Sequence, residues 1–264
     1  NTMRDLDVNP NKPLHWHKCI KKLSQVLGRQ WPGDEQYIRN KLDTVRWHLN
    51  KATHRVDNRA LAPGPHVPAA LERATQTAPW PALQWLASAL RFALGASARL
   101  NDCQHTAPST LYVTGATVEF HPWQPKASSI VSNNRPTPLI APLTTDTKIK
   151  WWETFLQGLE AMAANDEAMK TRDYLIPALT KDWSAFRRRP ITNTSLLGLY
   201  RDILVQGGLE RKEAARHTLH GLRVYMAERA YQAGVPRDDR RYIGRWASDS
   251  TADIYTREHR SVIL

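Results

Sequence analysis

His220-Gly221-Leu222-Arg223, Ala233-Gly234-Val235, Ile243-Gly244-Arg245-Trp246 and Ile254-Tyr255-Thr256-Arg257 follow one another in the C-terminal part of the chain. Any one piece is weak. A His-x-x-Arg pair arises by chance in chains of this composition, and a lone tyrosine is more often packing than chemistry. The ordered set is different. Arg223 and Trp246 stand 23 residues apart, and Trp246 and Tyr255 stand 9 apart. The apolar spacing between the first two pieces predicts a helix over 222–233, stopped by the small residues at 233–234. A second helix is predicted over 239–246.

Working outward, helices are predicted over 195–206, 148–164, 80–97 and 69–75, the 80–97 stretch being apolar enough to be buried. Thr110–Phe120 has the β-branched, alternating character of a strand with a glycine turn. Arg135–Leu143 reads as its partner at a sheet edge, since its prolines cannot donate to a ladder. Leu61–Pro68 holds Pro63, Gly64, Pro65 and Pro68 and marks a linker. Ahead of it two helices are predicted, over 14–27, ending at Gly28, and over 35–53, capped by Asp34. The expected architecture is mainly α with a small antiparallel β-sheet (α+β). It is divided into a short helical segment over 1–60, a linker over 61–68 and a larger domain over 69–264.

The chain carries a net charge of +12 with a pI near 9.9, and its 41% hydrophobic residues include ten Trp. Such a chain can fill a core while presenting a positive field to polyanions, of which nucleic acid is the commonest. No apolar run reaches membrane-span length, and the polar stretch Asn1–Asn11 has no signal-peptide pattern, so a membrane or secreted setting is not expected. Two distant cysteines, Cys19 and Cys103, make no disulfide framework. His15, His17, Cys19 and His54 lack the fuller, recognised spacing of a zinc site. No Gly-rich phosphate loop or carboxylate cluster points to nucleotide or two-metal chemistry.

In its ordered C-terminal series the chain resembles the tyrosine recombinase, or phage-integrase-like, family. That family has His-x-x-Arg, a helix ending in a small-Gly-apolar turn, a Gly followed closely by His or Trp, and then a nucleophilic Tyr. The resemblance runs over about residues 68–260. It also implies an upstream arginine after an apolar helix, with an acid three residues on, which Leu94-Gly95-Ala96-Ser97-Ala98-Arg99-Leu100-Asn101-Asp102 supplies as Arg99 and Asp102. A catalytic lysine is implied on the following hairpin. Lys126 is the only lysine between Arg99 and Lys148, with 133–135 as another possible turn. His217 competes with His220 for the histidine role, and the downstream gaps select His220. Residues 1–60 fit the family's core-binding domain only loosely. The sequence ends nine residues after Tyr255, short of the further C-terminal helix that some members dock on a neighbouring subunit.

The resemblance implies strand cleavage and rejoining in double-stranded DNA through a 3′-phosphotyrosyl link, with no metal, ATP or other cofactor. These residue types suit that reaction. Arg99 and Arg223 can fork onto the non-bridging phosphate oxygens. The Trp246 indole donates without accepting a proton. His220 serves as general base for the Tyr255 hydroxyl, which is unreactive at its ordinary pKa near ~10. Lys126 would protonate the leaving 5′ oxygen, and Asp102 would hold Arg99. The family further implies a tetrameric synapse on DNA, in a cytoplasmic, nucleoid or nuclear setting, and the departures from its pattern point to a mobile element. Three other readings stay open: a type IB topoisomerase or hairpin-resolving enzyme of the same chemistry, and a domesticated binding module. Arg187-Arg188-Arg189 is expected in a solvated loop, Arg237–Arg241 as a self-paired helix start, and Trp151-Trp152 in the core.

Overall fold

The computed structural model describes residues 17–22, 37–45, 63–123 and 137–246. The chain divides into two compact units, Asn1–Arg59 and Ala60–Leu264. In the first, residues 17–22 (α1) and 37–45 (α2) are helical, inside the two helices expected there.

The second unit is built on α4 (Pro81–Gly95), which begins with proline at its first position, where the missing N–H costs nothing. Alanine and leucine dominate its sequence and nearly every side chain is buried, so α4 is an axial rather than amphipathic helix. Helix α3 (His66–Thr77) packs on it, as do α6 (Trp151–Asn165), α8 (Asn193–Gln206) and α10 (Leu219–Gln232). Short helices α5 (Leu100–Gln104), α7 (Glu167–Lys170) and α9 (Arg211–Ala214) connect these, and α11 (Arg237–Gly244) packs on α10. Phe92 and Phe155 stack at 5.4 Å, while Phe120 and Trp85 close the cluster edge-on and stacked. Gly158 lets α6 approach: a Cβ there would lie 2.1 Å from the Trp85 ring.

A three-stranded antiparallel sheet runs β1 (Tyr112–Val113), β2 (Thr117–Phe120), β3 (Leu139–Pro142) in that order. Phe120 pairs with Leu139 and Thr117 with Pro142, placing the proline on an edge strand as expected. A second sheet departs from the sequence reading, which had one. Here β4 (Pro177–Leu179) pairs antiparallel with β5 (Phe186–Pro190). Arg187, Arg188 and Arg189 therefore lie in a strand, not a loop, and Arg188 Nε pairs with Asp166 at 2.8 Å. With charged side chains along it, β5 carries no alternation from which a strand could be read. Trp151 is fully buried, as expected.

One ionic knot sits inside the core. The Glu72 carboxylate, with no solvent exposure, accepts from Arg91 Nε at 3.0 Å, from the Asp146 and Thr147 amides, and from the Thr147 hydroxyl. Arg91 reaches on to the Thr144 carbonyl and Asp146. Every lone pair of the buried carboxylate is thereby engaged, the condition under which a buried pair does not destabilise. Burial still pushes the Asp146 carboxyl above its usual range, against the pull of Arg91.

Candidate active site

The His-x-x-Arg spacing places His220 and Arg223 one turn apart on the same side of α10, at its N-terminal end. Arg223 is buried, 1% exposed, and its Nη2 donates to the Arg245 carbonyl at 3.1 Å. Its guanidinium also lies 5.8 Å from the centre of the Trp246 ring. His220 stands at the exposed start of the helix. Partial burial of its imidazole, then the charges of Arg223 and Arg99, push its pKa below the ordinary histidine value. Two arginines far apart in sequence thus act on one histidine.

Gly244-Arg245-Trp246 ends α11, and its geometry explains the glycine. A Cβ on Gly244 would fall 2.3 Å from the Trp246 ring, so only glycine lets that ring fold back against the helix end. Trp246 is 3% exposed and packs with Ala227. Arg245 takes the left-handed conformation at φ 50°, where helices commonly end in glycine. The Arg245 and Trp246 amides reach back to the Tyr242 and Arg241 carbonyls at 3.0 and 3.1 Å. Arg240 turns inward to lie 4.9 Å from the centre of the Tyr231 ring. The two acids of that stretch, Asp238 and Asp239, do occupy the first helical turn, where the helix dipole favours them.

The Arg245 side chain is what joins the two halves of the site. Its Nη2 donates to Asp102 Oδ2 at 2.9 Å and to the Ser97 carbonyl at 2.9 Å. Asp102, 2% exposed, also accepts the backbone N–H of Arg99 at 3.1 Å, capping α5. So the carboxylate three residues after Arg99 fixes the Arg99 backbone, and the guanidinium it binds is that of Arg245. Ser97 is itself left-handed at φ 48° and closes the C-terminus of α4, with the Ala98 amide on the Ala93 carbonyl at 2.8 Å. Burial lowers the Arg245 pKa from its usual value, while Asp102 acts in the opposite sense. Cys103, beside this junction, is fully buried and its thiol is pushed up to about 12, so it stays protonated.

Arg99, Asp102, His220, Arg223 and Trp246 are thus gathered around the junction of α5, α10 and the end of α11. Tyr255 and Lys126 lie outside the described residues. The chain leading towards Lys126 is anchored by Trp123, whose indole N–H donates to the Asp173 carbonyl at 2.9 Å and whose amide donates to the His105 carbonyl. Sequence reasoning named Arg245 only as the variable position between Gly244 and Trp246. Neither its positive φ nor its partner more than a hundred residues away leaves a mark in local sequence. His217 is buried away from this group, beside His66 and Glu213.

No family model matches the chain, and no curated protein matches it. Solved structures do. XerH site-specific recombinase bound to its difH substrate in a pre-cleavage complex is 13% identical, with 97% of this chain and 69% of that chain covered and a TM-score of 0.52. The Tn1549 transposon integrase in complex with a circular intermediate DNA is 12% identical, covering 98% and 86%, with a TM-score of 0.51. XerA recombinase is 15% identical over 95% and 80%, with a TM-score of 0.48. Among the described residues no helix is long and apolar enough to cross a membrane. The mainly α architecture with its small antiparallel sheets is the fold of the XerH recombinase and of the Tn1549 integrase.

Proposed function

We propose that the chain is a site-specific DNA recombinase or integrase of a mobile element, cleaving and rejoining strands of double-stranded DNA with Tyr255 as nucleophile. The observation that carries this reading is the Asp102–Arg245–Arg223 junction, which gathers Arg99, His220, Arg223 and Trp246 from separate segments. Metal-free transesterification at phosphorus needs such preorganised donors around the charge that develops in the transition state. The net charge of +12 supplies the attraction to duplex DNA.

In this reading the Tyr255 oxygen attacks the phosphorus while His220 takes the phenolic proton. Arg99, Arg223 and the Trp246 N–H hold the non-bridging oxygens. The bond to the 5′ oxygen breaks as Lys126 delivers a proton to it, leaving a 3′-phosphotyrosyl link and a free 5′-OH. Attack by a second strand's 5′-OH reverses the step and restores Tyr255. Asp102 acts through Arg245 and the Arg99 backbone, positioning both arginines. The assembly on DNA would be a tetramer, and its setting the cytoplasm or nucleoid of a prokaryote or the nucleus of a eukaryote.

Covalent trapping tests this. The protein is incubated without metal with nicked duplexes from its own genomic flanks, alongside a control recombinase, and the DNA-linked peptide is identified. An adduct on Tyr255 that disappears in Tyr255→Phe, with DNA binding retained, supports the reading. Salt-sensitive binding without any adduct, when the control reacts, would instead mark a DNA-binding module.

A further inference from the structure

We propose that His66, Glu213 and His217 form a site for a divalent transition-metal ion, Zn2+ in first place, that ties the start of α3 to the segment entering α10. One ligand atom from each of the three residues lies within 4.8 Å of the others. His66 Nε2 and Glu213 Oε1 are 3.1 Å apart, and the two imidazole rings are 5.9 Å apart and tilted by 53°. The three residues come from three elements: the first residue of α3, the short helix α9, and the turn before α10.

The decisive feature is His217. It is 6% exposed, and its Nδ1 is buried with no hydrogen-bond partner among the described residues. An imidazole nitrogen buried without a partner is destabilising, because it has given up its hydrogen bond to water. The half-exposed His66–Glu213 contact leaves that cost unanswered. A bound metal would answer it.

The geometry needs only modest closure. Tetrahedral zinc with bonds of about 2.0–2.1 Å sets neighbouring ligand atoms about 3.3 Å apart. His66 and Glu213 are already closer than that. Any remaining gap closes by side-chain rotation of these two half-exposed residues. His217 stays fixed, its backbone carbonyl accepting from Arg201 Nε at 3.2 Å and its amide donating to the Ala214 carbonyl at 3.1 Å. Room for the His66 ring is provided by Gly64, where a Cβ would stand 2.5 Å from the ring. Two imidazoles and one carboxylate leave a fourth position for water, a ligand set that suits zinc. The position, three residues before His220, makes this a structural staple on the helix that carries the candidate base.

The test uses the full chain stripped of metal and titrated with Co2+, read by its visible ligand-field absorption and by the rise in melting temperature, then with Zn2+ in competition. One Co2+ per chain is expected, displaced by Zn2+. Binding should weaken at least about tenfold in both His66→Ala and Glu213→Gln, whose side chains are exposed enough to leave folding intact, and the melting shift should vanish with it. His17→Ala and Cys19→Ser should leave binding unchanged. The proposal is overturned if the parent chain binds no Co2+, if both site variants bind as well as the parent, or if binding is lost only in His17→Ala or Cys19→Ser.

Discussion

Replacing Arg245 with alanine should damage the protein more than any other surface-to-core change near the site, for a reason that can be worked through. Its side chain and that of Asp102 are 9% and 3% exposed, so their 2.9 Å pair is a buried one. Removing one partner leaves the Asp102 carboxylate in the interior with, among the described residues, only the Arg99 amide donating to it. Such an uncompensated charge costs about 3–5 kcal/mol. Alanine would also inherit the positive φ of 50°, which glycine adopts without the roughly 1–2 kcal/mol that a Cβ incurs there. Arg245→Gly should therefore be more stable than Arg245→Ala by about 1 kcal/mol, while both fall well below the parent. Pairing Arg245→Ala with Asp102→Asn removes the orphaned charge, so the double variant should lose about 1–3 kcal/mol less than the sum of the singles. The assay is urea unfolding of the full chain followed by tryptophan fluorescence, completed as a double-mutant cycle. A loss below about 1 kcal/mol in Arg245→Ala, or simple additivity in the cycle, would refute the junction as the structural link between α5 and α11.

Three other outcomes follow from the same geometry. His220 must be neutral to accept a proton, and its pKa lies below 6.5, so cleavage should be fully active above that pH and fall as the pH drops through the lowered value. A single-turnover pH profile checks this; a limb lying above pH 6.5 in the parent, or one that survives unchanged in His220→Ala, would remove His220 from the role. Glu72→Gln should destabilise the second unit by about 3 kcal/mol by removing the buried charge on which Arg91 Nε and the Asp146 and Thr147 donors converge, whereas a Glu72→Met, Arg91→Met double variant should recover much of that loss in the same urea assay. Gly244→Ala forces a Cβ into the Trp246 ring and should cost about 1–3 kcal/mol, with a red shift of tryptophan emission as the ring is pushed towards solvent; an unshifted spectrum and unchanged midpoint would count against the close packing.

The longer helices of the second unit were legible because each carries local signals, whereas the one-turn helices α7 and α9 were not read. Pro81 starts α4, the alanine–leucine run keeps it helical, and Gly234 stops the chain just after α10. The extended character of Thr110–Phe120 was readable from its β-branched residues around a glycine turn, and the edge position of β3 from its prolines, though the stretch was read as one strand and forms two, β1 and β2. The pairing of β4 with β5 was not. Phe186-Arg187-Arg188-Arg189-Pro190 has the composition of a loop, and only a partner strand supplied by the fold makes it extended.

By itself the sequence determined which residue types stand at which spacing. His220 and Arg223 fall on one side of a helix because three residues make nearly one turn, and Gly244 precedes Trp246 by the two residues that let an indole fold back. Those are local relations, set by backbone geometry within one or two turns. What only the tertiary structure decided is which distant groups meet. Asp102 binds Arg245 across the fold, His220 feels both Arg99 and Arg223, and His217 meets His66 instead of joining His220. Each of these contacts depends on α3 and α10 packing on α4 and on α11 packing on α10. That packing is driven by burial of side chains spread along the whole domain, so no short stretch of sequence records it.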